Sequence, residues 1–218
     1  MEKVEKRIWD LPVRIFHWGL AISFAGAYIT AEVSNVIHQA FAFLCLSFVP
    51  FRVMWGLVGS HTARFSSFVH GFDTVKAYGF ELVKFRHKEY WGHNPLGAVA
   101  VVVILGLMTA LVLAGLFVRE DDFAAPWALS VGDGLASMLG GLHEVLANIL
   151  MFVVVFHIIA ILAYRLFFRD NLITPMIKGT RPANPDFEEP KFAPLWLAII
   201  SAVIAIVLTG AIFRIWIF

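Results

Sequence analysis

The stretch Leu142–Phe167 reads LHEVLANILMFVVVFHIIAILAYRLF. It is longer than the ~20 apolar residues that cross a hydrocarbon core. It also carries two histidines, His143 and His157, 14 positions apart. At about 100° per residue and 1.5 Å of rise, the two return to nearly one face, ~21 Å apart along the axis. Ionisable side chains at such depth are costly and mark function. The segment therefore reads as a membrane helix with two matched imidazoles.

Working outward, four more segments have this apolar character: Val13–Ala31, Ile37–Val58, Pro95–Val118 and Leu195–Phe218. Of the 218 residues, 60% are apolar and 15% charged, with mean hydropathy +0.79. Soluble domains run near 45–50% apolar and about 25% charged. This excludes an ordinary cytosolic enzyme, a disordered chain and a nucleic-acid binder. The single cysteine, Cys45, excludes an internal disulfide framework and cysteine-based zinc or iron–sulfur sites. It sits mid-segment and reads as a packing residue. The first segment is too long for a signal-peptide core, and the acidic, aromatic stretch before it is unlike a signal n-region.

Lys and Arg set the orientation. They gather before the first segment (Lys3, Lys6, Arg7, Arg14), between the second and third (Arg64, Lys76, Lys84, Arg86, Lys88), and after the fourth (Arg165, Arg169, Lys178, Arg181, Lys191). With five spans these regions share one side. The N-terminus is therefore expected in the cytoplasm and the C-terminus outside. The opposite side holds Arg119 and Arg214 against Glu32, Glu120, Asp121, Asp122, Asp133 and Glu144. The inner loop Gly59–His93 mixes phenylalanines with basic residues, so part of it is expected to lie flat at the interface. His61, His70, His87 and His93 fall in that loop and read as solvated. Glu32 and Glu144 read as capping or solvating helix ends. Residues 1–180 are expected to form the main membrane body, 181–194 a proline-rich linker, and 195–218 an additional C-terminal helix.

The other histidines, His17 and His38, lie on the first two segments. A tight outer turn near Val33–Asn35 joins these. His38 then lies about four residues below the turn and His17 about 17, a difference of ~20 Å. The two pairs match in level: His38 with His143 towards the outside, and His17 with His157 towards the cytoplasm. Levels ~20 Å apart cannot share one zinc or copper ion. Two histidines at each of two levels in a helical bundle point to bis-histidine ligation of two b-type haems. There is no C-x-x-C-H attachment motif for c-type haem.

Arg52, 14 residues after His38, falls on the same face at the inner level. It has two readings: a haem propionate partner, or a side chain snorkelling to the cytoplasmic interface. Arg14, one turn before His17, carries the propionate reading more weakly. Gly19, Gly26 and Gly56 let a haem face or a neighbouring helix come close.

The order Trp9-Asp10-Leu11-Pro12-Val13-Arg14-Ile15-Phe16-His17-Trp18, then Arg52 to Ser60, then Gly92-His93-Asn94-Pro95-Leu96-Gly97-Ala98, and then Gly141-Leu142-His143 through His157 to Asn171-Leu172-Ile173 resembles the bacterial dihaem cytochrome b561 family. That family is related to the cytochrome b subunits of nickel–iron hydrogenases and formate dehydrogenases. The resemblance covers about residues 8–180. It implies an all-α integral membrane protein of the bacterial inner membrane with a four-helix haem-binding bundle; the apolar segment Leu195–Phe218 adds a fifth C-terminal transmembrane helix outside that core. It places ligands on helices one, two and four, where His17, His38, His143 and His157 stand. Relatives exchange electrons with quinone near the cytoplasmic haem. Asn94 is similar to the Asn-containing turn that contributes there, and it also reads as a plain helix N-cap before Pro95. His93 in that reading would supply a proton.

The leading functional expectation is transmembrane electron transfer between the quinone pool and an external redox partner. The acidic outer side favours a cationic partner such as a c-type cytochrome. A second class is a stand-alone superoxide:ubiquinone oxidoreductase, which acidic outer loops disfavour because its substrate is an anion. A third is a haem-free transporter or anchor, for which broken helices and internal repeats are missing.

Overall fold

The computed structural model describes residues 3–120 and 123–213. Asp121, Asp122 and Arg214 lie outside the described residues, as does the end of the expected fifth helix. The chain is mostly helical: α1 (Leu11–Thr30), α2 (Asn35–Val58), α3 (Phe65–Phe68), α4 (Phe72–Val83), α5 (Pro95–Gly115), α6 (Asp133–Phe167), α7 (Ile173–Lys178) and α8 (Leu195–Ile212). Two small antiparallel ribbons accompany them. β1 (Val4–Arg7) pairs with β4 (Thr180–Ala183), and β2 (Arg119–Glu120) with β3 (Phe123–Ala124).

All five expected spans are helical. Among the described residues, α2, α5, α6 and α8 are long and apolar enough to cross a membrane. The 20-residue α1 is not in that set; Arg14 and His17 in its first turns lower its hydropathy. The faces of α6 and α8 carry bare apolar side chains, with Phe152 72% and Trp196 58% exposed. In water such faces are a liability, and in lipid they are the solvated surface. At 35 residues, α6 begins at Asp133 rather than Leu142. Its ~52 Å outruns a hydrocarbon core of ~30 Å. Gly134, Gly140 and Gly141 disguise that extra N-terminal length, being poor helix formers with no apolar side chain.

The chain forms two compact units. The first comprises residues 1–15, 53–103 and 155–198. Asp10 organises it. Its Oδ1 accepts from the Val13 amide at 2.7 Å, the N-cap bond of α1, and its Oδ2 accepts from the Trp55 indole at 3.0 Å. Trp55 is fully buried. Gly179, at φ +86°, ends α7 and donates to the Pro175 carbonyl at 2.8 Å. Its own carbonyl accepts from the Ile8 amide at 2.8 Å. A Cβ here would sit 2.9 Å from an Arg14 nitrogen and 3.0 Å from the Trp9 carbonyl, so only glycine suits both the conformation and the space. The expected linker 181–194 therefore opens on a paired strand, with Arg181 only 9% exposed. Period-2 patterning in four residues is too short to stand out from a loop.

The second unit comprises residues 16–52, 104–154 and 199–218. Its core joins Leu20, Phe24, Leu46, Met108, Leu111 and Leu150, with Cys45 buried among them as expected. Gly19 and Gly26 on α1 admit the rings of Phe48 and Phe41 from α2; a Cβ at either would lie 2.4 or 2.6 Å from the ring. Both glycines thus serve helix contact. Gly56, in the first unit, does the same for Phe65. The C-terminal half of α8 docks here too. The Trp127 indole donates to the Ile212 carbonyl at 2.6 Å, and Phe213 lies edge-on to Phe43.

Candidate functional site

Ser34 precedes α2, and its Oγ accepts from the Ile37 amide at 3.4 Å, so the helix starts one turn before His38. His38 then stands in the first turn and faces His143 of α6. Their ring centroids are 6.2 Å apart and the rings are nearly perpendicular, at 84°. His38 Nδ1 lies 2.8 Å from the Ala27 carbonyl of α1, and His143 Nδ1 lies 2.9 Å from the Leu111 carbonyl of α5. A carbonyl can only accept, so each Nδ1 is the protonated nitrogen and each Nε2 keeps its lone pair. Metal-binding histidines are oriented by such a bond from the ring's other nitrogen.

The pair fits a cofactor held by two axial imidazoles. With metal–nitrogen bonds of about 2 Å on either side, ring centroids fall ~6 Å apart, as found here. The two rings border a cavity of about 920 Å³ within the second unit, inside the ~300–1,000 Å³ range of cofactor and ligand sites. Small residues, among them Ala31, Ala42, Ala136 and Gly140, leave the room for a flat ring system. Among the described residues no group of three His, Cys, Asp or Glu side chains is placed to hold a bare metal ion. Gly115 is a site residue that sequence reading missed. A Cβ there would lie 2.8 Å from His143 Cε1, so glycine gives the ring its place. Its signal was only a glycine at a helix end, where a C-cap is the ordinary reading.

Glu32, Asp133, Glu144 and Arg119 also line this cavity, and Arg119 forms an ion pair with Asp133. Glu32 and Glu144 are exposed, as expected of acids that solvate helix ends, and they border the cavity from there. Phe213 lines the cavity as well, so α8 reaches a site assigned by resemblance to helices one to four.

His17 belongs to the second unit and His157 to the first. The His17 ring meets Trp18 edge-on at 5.0 Å. Arg52 is 3% exposed, with its guanidinium carbon 5.9 Å from the Phe16 ring centre. It does not snorkel to water. Arg14 donates to the Ile177 carbonyl, tying α1 to the end of α7. Asn94 is 8% exposed, and its Oδ1 accepts from the Gly97 amide at 2.7 Å, the N-cap geometry.

The expectation of solvated loop histidines is corrected for two of the four. His93 packs edge-on against Trp9, with centroids 4.8 Å apart, and lies 4.3 Å from the Phe68 ring. The His87 side chain is 10% exposed, and its Nε2 lies 2.9 Å from Asp170 Oδ2. Asp170 Oδ1 in turn accepts from Arg181 at 2.9 Å. His87 Nδ1 lies 3.5 Å from the Tyr78 hydroxyl, which is 3.0 Å from the Tyr164 hydroxyl. Asn94 acts electrostatically on that second phenol. His87 and Asp170 are 83 positions apart, and no local pattern announces their meeting.

A family model described as prokaryotic cytochrome b561 matches residues 8–179. Among curated proteins, the chain is 25% identical over 227 residues to the "Probable Ni/Fe-hydrogenase B-type cytochrome subunit" of Azotobacter vinelandii, covering 85% of this chain and 93% of the relative. It is 24% identical over 225 residues to the protein of the same name from Azotobacter chroococcum mcd 1, with the same coverage. No solved structure matches the chain.

Proposed function

Because the chain belongs to the prokaryotic cytochrome b561 family, we propose that it carries electrons across the bacterial inner membrane through two b-type haems. The route runs between the quinone pool on the cytoplasmic side and an external redox partner. The observation that carries this reading is the His38–His143 pair, with perpendicular rings, matched backbone acceptors and a cofactor-sized cavity. A haem held by two imidazoles supplies one-electron exchange with its ligands in place.

His38 and His143 hold the outer haem in this reading. Their Nδ1–H bonds to Ala27 and Leu111 fix both rings and raise the basicity of the ligating nitrogens. His17 and His157 hold the inner haem, a pairing that rests on helical spacing alone. Arg52 and Arg14 serve its propionates. Arg52 is buried beside the Phe16 ring, on the helix that carries His38. Asn94 caps α5 and contacts quinone. The N-terminus faces the cytoplasm, and α1 crosses the membrane with the four more apolar helices. The outer carboxylates Glu32 and Glu144 draw a cationic partner such as a c-type cytochrome. They repel an anionic substrate such as superoxide.

The test is vectorial. Purified protein in sealed liposomes is given a short-chain hydroquinone inside and ferric cytochrome c outside. Reduction of the external cytochrome that requires the intact protein is the expected result. No transfer from a haem-loaded preparation would contradict the reading.

A further inference from the structure

We propose that Tyr164, Tyr78 and His87 form a proton relay that links the Asn94 end of the quinone site to the aqueous side. The proposal rests on the quinone reading above and adds to it the residues that move the proton. Every member lies in the first unit, and from Tyr164 to Arg181 the chain of contacts is continuous. Asn94, buried in the same unit, acts electrostatically on the Tyr164 hydroxyl. Tyr164 lies 3.0 Å from the Tyr78 hydroxyl. Tyr78 reaches His87 Nδ1 at 3.5 Å, the loosest link. His87 Nε2 lies 2.9 Å from Asp170, and Asp170 2.9 Å from Arg181.

The direction of these bonds is set from one end. Arg181 only donates and Asp170 only accepts, so His87 must place its proton on Nε2. Its Nδ1 is then the acceptor, turned to Tyr78. Imidazole is the side chain suited to accept and release protons near neutral pH. Asp170, held by Arg181, stabilises the imidazolium that forms. Tyr78 and Tyr164 are 6% and 7% exposed, whereas the His87 side chain keeps a 10% edge to solvent. Burial, and then the Tyr164 hydroxyl, push the Tyr78 phenol well above the usual tyrosine range, so it relays as a neutral hydroxyl. The groups facing the chain are Tyr78 and Tyr90 from the inner-loop side, Tyr164 and Asp170 from α6 and the turn after it, and Arg181 from β4. Glu89, 3.4 Å from Arg181, completes the set at the surface. Apolar side chains would dock the same loop at lower desolvation cost, so the polar chain asks for a function.

Oxidising a hydroquinone breaks two O–H bonds and releases two protons and two electrons. The electrons pass one at a time to the b-type haem. Each proton enters at Tyr164 while Tyr164 passes its own to Tyr78, and Tyr78 passes its own to His87. His87 releases that proton from Nδ1 to water, which restores its Nε2–H form, and both hydroxyls rotate back before the second transfer. Quinone reduction runs the chain in reverse.

The test uses the haem-loaded protein and the Tyr78→Phe variant, which keeps the ring and loses one hydroxyl. Haem reduction is followed with a short-chain hydroquinone in H₂O and in D₂O, and separately with dithionite. The relay predicts hydroquinone-driven reduction slowed on the order of 10²-fold, with KM unchanged. It also predicts an altered solvent isotope effect and pH profile, and unchanged dithionite reduction and spectrum. His87→Gln should slow likewise and recover with added imidazole, and it replaces Tyr78→Phe if that variant fails to fold. Equal rates and isotope effects in wild type and variants would overturn the relay while leaving the quinone reading standing. Wild-type haem that hydroquinone does not reduce would overturn the quinone reading, and the relay with it.

Discussion

His38 and His143 face one another with ring centroids 6.2 Å apart, and each is fixed through Nδ1 to the backbone carbonyl of a different helix. The rings come from α2 and α6, and the acceptors Ala27 and Leu111 from α1 and α5. Four helices thus set the geometry of one histidine pair, and an error in any of them is felt there.

Gly115 gives the sharpest steric test of that geometry. Gly115→Val would drive a branched side chain into the His143 ring, since even a Cβ would lie 2.8 Å from it. Overpacking of this kind costs about 1–3 kcal/mol. In a redox titration one midpoint potential should move and the other stay. Gly115→Ala should move it less.

Asp10 is expected to matter for folding rather than for redox chemistry. Asp10→Ala removes the α1 cap and leaves the Trp55 indole buried without its acceptor. Loss of a cap costs ~1 kcal/mol and an unsatisfied buried donor about 1–3 more. Thermal unfolding in detergent should show destabilisation of about 2–4 kcal/mol. Asp10→Asn should recover part of it.

A pH response follows from Glu189. The Arg7 amide and then its guanidinium hold the Glu189 carboxyl below the usual carboxylate range. The folded value is therefore lower than the unfolded one, and the unfolded chain binds more protons in acid. The pair's contribution is present above the usual range near ~4.3 and is lost as pH falls through the lowered value. Because the pair is exposed, the effect is local. Protease cleavage around residues 185–192 should rise on acidification in wild type. Glu189→Gln should show the faster cleavage already at neutral pH.

The carboxylates at the cavity beside His38 and His143 make a kinetic prediction. Glu32→Gln with Glu144→Gln should slow electron exchange with a cationic cytochrome and flatten its dependence on salt. Stopped-flow rates across an ionic-strength series would show this. Exchange with a neutral dye should be unchanged.

The helices and the meeting of His38 with His143 were legible in the sequence for a simple reason. Both rest on periodicity, and His143 returning with His157 to one face of α6 is a local property of one helix. The match of His38 to His143 needed one tight turn, and α2 begins within a residue of where that turn ends. What stayed hidden depends on long-range meetings. The β1–β4 ribbon joins Arg7 to Thr180, and the cluster at His87 joins an inner-loop ring to Asp170. Neither has a local pattern. Arg52 was ambiguous because depth in a helix does not tell which way a long side chain bends; its burial decides against the snorkelling reading. Gly115 was invisible because its role is the absence of a side chain beside a ring 28 residues away.

The most direct measurement is a pyridine haemochrome count, with oxidised and dithionite-reduced spectra, on wild type and on His143→Ala. Two haems b per chain in wild type, low-spin and six-coordinate, falling to one in the variant, is the expected result. A wild-type protein that folds without haem, or a variant that keeps the wild-type count and spectrum, would contradict the assignment of His38 and His143 as one haem's axial ligands.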